Sequence, residues 1–181
     1  MTRCDLRLGF VGLGALGLPM AINLHRAGFP LRVHTRSRSA ETSAGLEGAI
    51  RCSSPADAST GVDMLLLCVS DDAAVEDVLF GPNGAASQLS DGSVVLDCST
   101  IAPATAQRCG ERLAGQNVHY LDAPVTGGTE GAKRGSLTVL VGEQGRKGGG
   151  RGGGRRRGGR GGGGGGRGGG GRGGRPGRRG G

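Results

Sequence analysis

Short apolar runs of strand length alternate with Ala-rich segments of helical spacing along residues 1–145. The apolar runs predict strands at Leu6–Val11, Leu31–His34, Ala49–Cys52, Met64–Val69, Ser93–Asp97, Val118–Leu121 and Leu137–Val141. The segments between them predict helices at Ala15–Ala27, Ser39–Glu47 and Pro103–Ala114, and two more that begin at Ser54-Pro55 and at Ser70-Asp71-Asp72. Alternation of this regularity predicts an α/β fold with a doubly wound, mainly parallel sheet and right-handed crossovers.

Two of the helix starts carry capping signals. Ser54 followed by Pro55 is typical of an N-cap and a first helical residue, and Asp57 falls in the opening turn. Asp71 and Asp72 place carboxylates at the positive end of the next helix, where they are favoured. These signals indicate where both helices begin.

Composition divides the chain near residue 145. Residues 146–181 consist of 23 Gly, 11 Arg, one Lys and one Pro, without any acidic, aromatic or aliphatic side chain. The formal net charge of +8 therefore combines +12 from this segment with −4 from residues 1–145. We predict one mildly acidic folded domain at 1–145 and a low-complexity Gly/Arg tail at 146–181.

The Gly/Arg tail has two explanations. As a protein segment it would be disordered, because it has nothing apolar to bury, and its charges would bind RNA or DNA with steep salt dependence. It lacks the aromatic side chains that stack on bases. Alternatively, G+C-rich DNA read in a wrong frame yields Gly, Arg and Pro codons, and the change of composition falls inside a recognisable domain. We favour the frame or gene-model artefact over a nucleic-acid-binding arm.

Cysteine use and the shortness of the apolar runs bear on location. The five cysteines form an odd set with no C-x-x-C pair, which argues against a disulfide framework or a zinc site. The longest apolar run, Met64–Val69, is far shorter than the ~20 residues that span a membrane. The strand pattern starts at Leu6, which leaves little room for a targeting peptide. We therefore expect reduced, mostly buried thiols, no membrane or metal partner, and a cytoplasmic location.

The first strand runs directly into a glycine turn, Gly12-Leu13-Gly14-Ala15-Leu16-Gly17, which has the spacing G-x-G-x-x-G and opens the first helix. A preceding strand and a following helix are the context in which this spacing binds a dinucleotide. Gly12 permits the tight turn, Gly14 lets the backbone approach the pyrophosphate, and Gly17 lets helix and strand pack closely. The free N–H groups of the helix would face the phosphates. The sequence therefore predicts a Rossmann-type site.

The end of the second strand bears on the choice between NAD and NADP. NAD sites usually present Asp or Glu there to the ribose 2′-OH, whereas this chain has no acid before Glu41. Arg36 and Arg38 could instead bind a 2′-phosphate through paired donors. The pattern favours NADP, with NAD as the other candidate. The alternative is that both arginines are solvated loop charges.

Four segments in order resemble the β-hydroxyacid dehydrogenases, which include 3-hydroxyisobutyrate dehydrogenase and share the NADP-binding domain of 6-phosphogluconate dehydrogenase. The segments are Gly9–Leu24, Thr35-Arg36-Ser37, Asp97–Pro103 and Asp122–Gly128. They resemble the N-terminal signature, the Asn-Arg-Thr of NADP-preferring members, the Asp-x-Ser-Thr beside the nicotinamide and the substrate-binding Asp-Ala-Pro-Val-Ser-Gly-Gly. Thr35 and Thr126 depart from the family's Asn and Ser. The resemblance runs from about Leu6 to Gly142, the N-terminal domain only.

The resemblance implies residues for cofactor and substrate. The implied cofactor-binding residues are Gly12, Leu13, Gly14, Ala15, Leu16, Gly17, Thr35, Arg36, Ser37, Val69, Ser70 and Thr100. Thr126 keeps a hydroxyl and would bind a substrate carboxylate with the Gly127 and Gly128 amides, since consecutive N–H groups form an anion-binding nest. An ordinary turn is the alternative reading of these three residues. The implied substrate is a small 3-hydroxy acid or its semialdehyde.

The implied reaction is hydride transfer between the nicotinamide and the β-carbon of that substrate. In the family a lysine of a G-x-G-x-x-x-K-x-x-N-N segment, at the start of a helical C-terminal domain, handles the proton. The two lysines of this chain do not match: Lys133 follows the substrate motif in a predicted loop, and Lys147 lies among Gly and Arg. We therefore expect the family's catalytic lysine and helical domain to be missing, and turnover to be very low.

Three classes of function remain open at this point. The leading one is the NADP-binding domain of an NAD(P)-dependent 3-hydroxyacid dehydrogenase or semialdehyde reductase, truncated as written. The second is a dinucleotide-binding module without catalysis. The third is a nucleic-acid-binding protein that acts through residues 146–181. The sequence does not indicate an oligomeric state.

Overall fold

Nine strands and five helices follow one another in residues 5–144, the part of the chain that the computed structural model describes. They are β1 (Leu8–Val11), α1 (Gly17–Arg26), β2 (Leu31–His34), β3 (Ile50–Arg51), α2 (Pro55–Ser59), β4 (Met64–Leu67), α3 (Asp72–Phe80), β5 (Val94–Asp97), α4 (Pro103–Ala114), β6 (His119–Asp122), β7 (Val125–Thr126), α5 (Gly128–Arg134), β8 (Thr138–Val139) and β9 (Gly142–Gln144). Short 3₁₀ helices occupy Ser39–Thr42 and Ala85–Ser87. The predicted tail at 146–181, with Lys147, lies outside the described residues.

The strands β3-β2-β1-β4-β5-β6-β9 form one sheet in that order. The first six are parallel, and β9 is antiparallel to β6. Within β1, Val11 is paired with His34 of β2 on one side and with Leu67 of β4 on the other. The strand order therefore reverses at β1, which confirms the predicted doubly wound Rossmann-type sheet. The strands β7 and β8 pair with each other in a separate two-stranded sheet.

Helices cover both faces of the sheet, as the continuous apolar run of β4 predicts. Leu65 and Leu67 pack in a core with residues of α2, α3 and α4, whereas the intervening Leu66 packs in a second core with Ala21 of α1. The same alternation holds in β1, where Phe10 and Val11 belong to different cores. Strands buried on both faces need apolar side chains at every position, which explains the uninterrupted runs in the sequence.

The predicted helix starts are confirmed by their caps. The Ser54 hydroxyl accepts a hydrogen bond from the Asp57 N–H at 3.1 Å, and Pro55 is the first residue of α2. The Asp71 carboxylate accepts one from the Ala74 N–H at 2.9 Å at the start of α3. Each side chain satisfies a backbone donor that the helix leaves without a partner.

Several predicted boundaries were wrong. The expected helix at Ser39–Glu47 is a single 3₁₀ turn, because Arg38 before it and Gly45 after it both have left-handed backbone conformations. The expected strand at Leu137–Val141 is reduced to β8 and lies outside the main sheet. Lys133, expected in a loop, lies in α5 and pairs with Glu130 at 2.8 Å. The elements β7, α5 and β9 were not predicted.

None of the helices in residues 5–144 combines the length and the apolar character needed to cross a membrane. The longest of them, α4, has 12 residues.

An ion pair between Arg7 and Asp63, which directly precede β1 and β4, predicts how the stability of the fold changes in acid. The Arg7 guanidinium contacts the Asp63 carboxylate at 2.7 Å, and the Arg7 N–H also donates to it at 2.8 Å. These hydrogen bonds lower the pKa of Asp63 to about 2. A carboxyl whose pKa is lower in the folded than in the unfolded state stabilises the fold above its unfolded pKa of about 4, and this contribution disappears as the pH falls towards 2.

Asp63→Asn is therefore expected to lower the free energy of unfolding at pH 6 by up to about 1 kcal/mol, the usual value of an exposed pair. The difference from the unmodified chain should vanish as the pH approaches 2. Urea unfolding at pH 6 and pH 2 measures both values, with Asp5→Asn as the control at another exposed carboxylate. A difference that persists unchanged at pH 2 would contradict the assignment.

Candidate functional site

A cavity of about 560 Å³ opens at the carboxyl ends of the parallel strands, where the strand order reverses. Its walls come from the glycine turn after β1, the residues after β2, the ends of β4 and β5, and the first turns of α2 and α3. The lining residues are Val11, Gly12, Gly14, Ala15, Leu16, Gly17, His34, Thr35, Arg36, Ser37, Pro55, Cys68, Val69, Ser70, Ala74, Asp77, Val78, Cys98, Ser99 and Thr100. Open α/β sheets bind their ligands in this position.

The three glycines of the turn are required for different physical reasons. Gly12 has φ +100°, and a Cβ atom there would overlap the carbonyl oxygen of Cys68, the residue after β4. A Cβ on Gly17 would overlap the carbonyl oxygen of Gly12. A Cβ on Gly14 would meet no protein atom within 4 Å, and Gly14 lines the cavity. Gly12 and Gly17 are thus fixed by packing, whereas the space in front of Gly14 is left open towards the cavity.

The amino end of α1 has no side-chain cap. Leu16 precedes the helix without a side-chain cap, and the first turn holds no acidic residue. The helices α4 and α5 also begin without a side-chain cap, whereas α2 and α3 receive the side chains of Ser54 and Asp71 at the same position. The first N–H groups of a helix carry partial positive charge, and at α1 no side chain satisfies them. Because Leu16 and Gly17 also line the cavity, these donors lie where a phosphate group would bind.

The two arginines that follow β2, Arg36 and Arg38, have their side chains in different environments. Arg36 lines the cavity, together with Thr35 and Ser37. Arg38 does not line it: its guanidinium donates to the carbonyl oxygen of Cys52 at 2.6 Å and lies 3.3 Å from the Glu41 carboxylate. Only one of the two arginines therefore lines the cavity, and the shared role expected for them stays a prediction.

Glu41, the first acid after β2, is not among the residues that line the cavity. Its side chain is only 2% exposed, and its carboxylate accepts a hydrogen bond from the Thr35 N–H at 3.0 Å. A carboxylate that is buried and paired in this way is not presented to a ribose hydroxyl. The cavity thus offers a guanidinium and the hydroxyls of Thr35 and Ser37 at the end of β2, and no carboxylate there.

A buried hydrogen-bonded chain fixes the ends of β4 and β5. The Val69 N–H donates to the Ser99 hydroxyl at 3.0 Å, and the Ser99 N–H donates to the Asp97 carboxylate at 2.9 Å. Asp97 is fully buried and also accepts a hydrogen bond from the Tyr120 hydroxyl at 2.6 Å. Burial and the neighbouring Asp97 raise the pKa of Tyr120, so that this hydroxyl keeps its proton. This series of hydrogen bonds holds Val69 in the cavity wall through contacts that extend to Tyr120 in β6.

Two thiols line the cavity between these strand ends. Burial raises the pKa of Cys68 to about 11 and that of Cys98 to about 12, so both are protonated at neutral pH. Cys68 and Cys98 are free, as are Cys52 and Cys109. The thiols therefore form an apolar part of the wall.

Most of the predicted cofactor residues come together in this cavity. Of the twelve, all but Leu13 line it. The side chain of Leu13 is 4% exposed and packs in the core with Phe10 and Leu31. The predicted substrate residues Thr126, Gly127 and Gly128 are not among the lining residues and lie where β7 meets α5.

The sequence prediction missed other members of the cavity wall. They are Val11, His34, Pro55, Cys68, Ala74, Asp77, Val78, Cys98 and Ser99. Most of them lie within a few residues of a predicted strand end or helix start. The signal that could have found them is therefore position, since parallel strands end at one edge of the sheet.

Comparisons with known proteins agree with this architecture. Residues 7–147 match the family model described as the NAD binding domain of 6-phosphogluconate dehydrogenase. The chain is 39% identical over 137 residues to 2-hydroxy-3-oxopropionate reductase of Escherichia coli (strain K12). The aligned region covers 76% of this chain and 47% of the reductase.

Solved structures show the same similarity. The crystal structure of 3-hydroxyisobutyrate dehydrogenase from Salmonella typhimurium superposes with a TM-score of 0.71 at 36% identity, over 76% of this chain and 48% of that chain. Psf3, solved in complex with NADP+ and 2-OPP, gives a TM-score of 0.71 at 33% identity, over 76% and 49%. The chain thus spans about half the length of the proteins it matches.

Proposed function

The chain belongs to the family of the NAD-binding domain of 6-phosphogluconate dehydrogenase, and we propose that it is the NADP-binding half of a 3-hydroxyacid dehydrogenase or semialdehyde reductase. The observation that carries the proposal is the cavity at the reversal of strand order, where the open space before Gly14 meets the uncapped start of α1 and the Arg36 side chain. A site for NADP needs space for the pyrophosphate, the amino end of a helix beside that space, and a cation at the end of the second strand.

The residues present fit a nicotinamide dinucleotide. The N–H groups at the start of α1 would hold the pyrophosphate, with the turn backbone, including that of Leu13, around it. Arg36, with Thr35 and Ser37, would hold the 2′-phosphate, because guanidinium groups bind phosphate through paired donors. Val69, Ser70 and Thr100 would contact the nicotinamide-side ribose at the ends of β4 and β5. The bound nicotinamide would supply the hydride that is exchanged with the substrate.

The substrate class is proposed from the family. Two of the similar proteins are a 2-hydroxy-3-oxopropionate reductase and a 3-hydroxyisobutyrate dehydrogenase, which supports a small 3-hydroxy acid or its semialdehyde as the substrate class. Within this chain, Thr126, Gly127 and Gly128 would bind its carboxylate. Both glycines have positive φ, +126° and +60°, and the Thr126 residue is exposed. The four cysteines within residues 5–144 are free, which supports the proposal of a reducing, cytoplasmic compartment.

Arg36→Asp tests the proposed cofactor. Losing a charge-assisted contact of about 1.5–3 kcal/mol should raise the Kd for NADPH about 10- to 100-fold, while the Kd for NADH changes by less than about threefold. Isothermal titration calorimetry with both dinucleotides measures the two values. Arg51→Asp, in the edge strand β3 outside the cavity, is the matched control. An equal loss of affinity for both dinucleotides would refute the 2′-phosphate contact, and no binding by the unmodified chain would refute the function itself.

A further inference from the structure

The turn after β2 is held by an ion pair that no proposed cofactor contact uses. Glu41 accepts the Thr35 N–H at 3.0 Å through one carboxylate oxygen, and its other oxygen lies 3.3 Å from the Arg38 guanidinium. The Glu41 side chain is 2% exposed, whereas that of Arg38 is 50% exposed. A buried carboxylate is stable only with a counter-charge and hydrogen bonds. Arg38 supplies a guanidinium charge here, and the Nδ1 atom of His34 also lies 3.8 Å from the Glu41 carboxylate.

Arg38 adopts a backbone conformation that few residues tolerate. Its φ is +62°, and this left-handed geometry costs a residue other than glycine roughly 1–2 kcal/mol. The geometry is accompanied by two contacts of the guanidinium, to Glu41 and, at 2.6 Å, to the Cys52 carbonyl oxygen. The Arg38 N–H also donates to the Thr35 carbonyl oxygen at 3.1 Å. The contacts of Arg38 and Glu41 thus close the turn that contains Arg36 and Ser37.

The position of this pair bears directly on cofactor choice. Glu41 is the first acid after β2, and an acid in this region is the group that accepts a hydrogen bond from an unphosphorylated ribose. A carboxylate without a counter-ion in this turn would also repel a 2′-phosphate bound at Arg36, because charges of like sign repel each other more strongly in a partly buried site than in water. Neutralised by Arg38 and directed inward, Glu41 does neither.

We propose that the Arg38–Glu41 ion pair determines cofactor specificity: Arg38 neutralises the buried carboxylate and closes the turn, so that Arg36 and Ser37 receive a 2′-phosphate without opposition. Arg38 and Glu41 are positioning residues and do not themselves touch the dinucleotide. The inference rests on the proposed function, because it assumes that NADP(H) binds in this cavity. Its distinctive consequence is that removing either partner alters the affinity ratio with opposite sign, according to the charge that is left.

The test compares Arg38→Met, Glu41→Gln and the double variant in the full chain. Calorimetric Kd values for NADPH and NADH give the ratio of affinities, which is insensitive to a general loss of folding. Arg38→Met removes the guanidinium charge beside Glu41 and should lower the preference for NADPH about 10-fold or more, equivalent to about 1.4 kcal/mol. Glu41→Gln keeps an acceptor for the Thr35 N–H, removes the negative charge and should raise the preference about threefold. The double variant should return to within about threefold of the unmodified chain.

The outcomes separate this inference from the proposed function. A change of the same sign in both single variants, or no change in either, would overturn it, because a purely structural role predicts equal damage to both dinucleotides. If Arg38→Met does not fold, as judged by circular dichroism, the sign of the Glu41→Gln effect still decides. Arg36→Asp is measured in parallel: if it removes the NADPH preference while the pair variants leave it unchanged, the inference alone fails. If Arg36→Asp also has no effect, the 2′-phosphate site fails.

Discussion

Replacing Gly14 by Val is expected to abolish the binding of both NADPH and NADH, with Kd values raised more than about 100-fold, while the fold remains intact. A side chain at this position would meet no protein atom within 4 Å of its Cβ, and the backbone φ is not in the left-handed region. The side chain would instead occupy the space through which the pyrophosphate approaches the start of α1. Calorimetric titration and a thermal unfolding curve measure the two effects on one sample.

Gly115→Val is the control for this experiment. Gly115 follows α4, also has a negative φ, and does not line the cavity. The Kd values of the Gly115→Val variant for NADPH and NADH should stay within about threefold of those of the unmodified chain. If Gly14→Val binds either dinucleotide normally in well-folded material, the pyrophosphate does not lie at this turn. That result would refute the proposal that the cavity binds a nicotinamide dinucleotide.

Much of the fold was predictable because the central strands are buried on both faces. A strand with no solvent-exposed side must be apolar at every position, and the core of Met64–Val69 was found by that signal. Capping residues such as Ser54 and Asp71 indicated where helices start, because their side chains accept hydrogen bonds from backbone N–H groups of the first turn. Both signals act within a few residues, so a single sequence contains them.

The failures have the opposite cause, since they depend on contacts that are distant in sequence or on backbone geometry. Ser39–Glu47 contains good helix formers, yet the left-handed conformations of Arg38 and Gly45 and the burial of Glu41 limit it to one turn. The strands β7 and β9 are two and three residues long, too short for any periodicity to be measured. Tertiary pairing alone defines them.

The candidate site divides in the same way. The glycine turn, Arg36 and Thr100 were found because a motif or a family resemblance marks them. The hydrogen-bonded chain from Val69 to Ser99 and Asp97 was missed, because it depends on how β4 and β5 are placed side by side. Arg36 and Arg38 could not be distinguished from sequence, since the left-handed φ of Arg38 directs only one of them into the internal pair.

Gly17→Ala is expected to destabilise the fold by about 3 kcal/mol or more, lowering the thermal midpoint by roughly 6–12 °C. The sign is informative, because replacing a helical glycine by alanine ordinarily stabilises a helix by about 0.5–1 kcal/mol. Here the new methyl group would overlap the Gly12 carbonyl oxygen and lie 3.2 Å from the Phe10 ring. Differential scanning calorimetry measures the shift, with Gly14→Ala, where the methyl group has open space, as the control in the same turn. An equal or higher midpoint for Gly17→Ala would show that α1 does not approach β1 as closely as described.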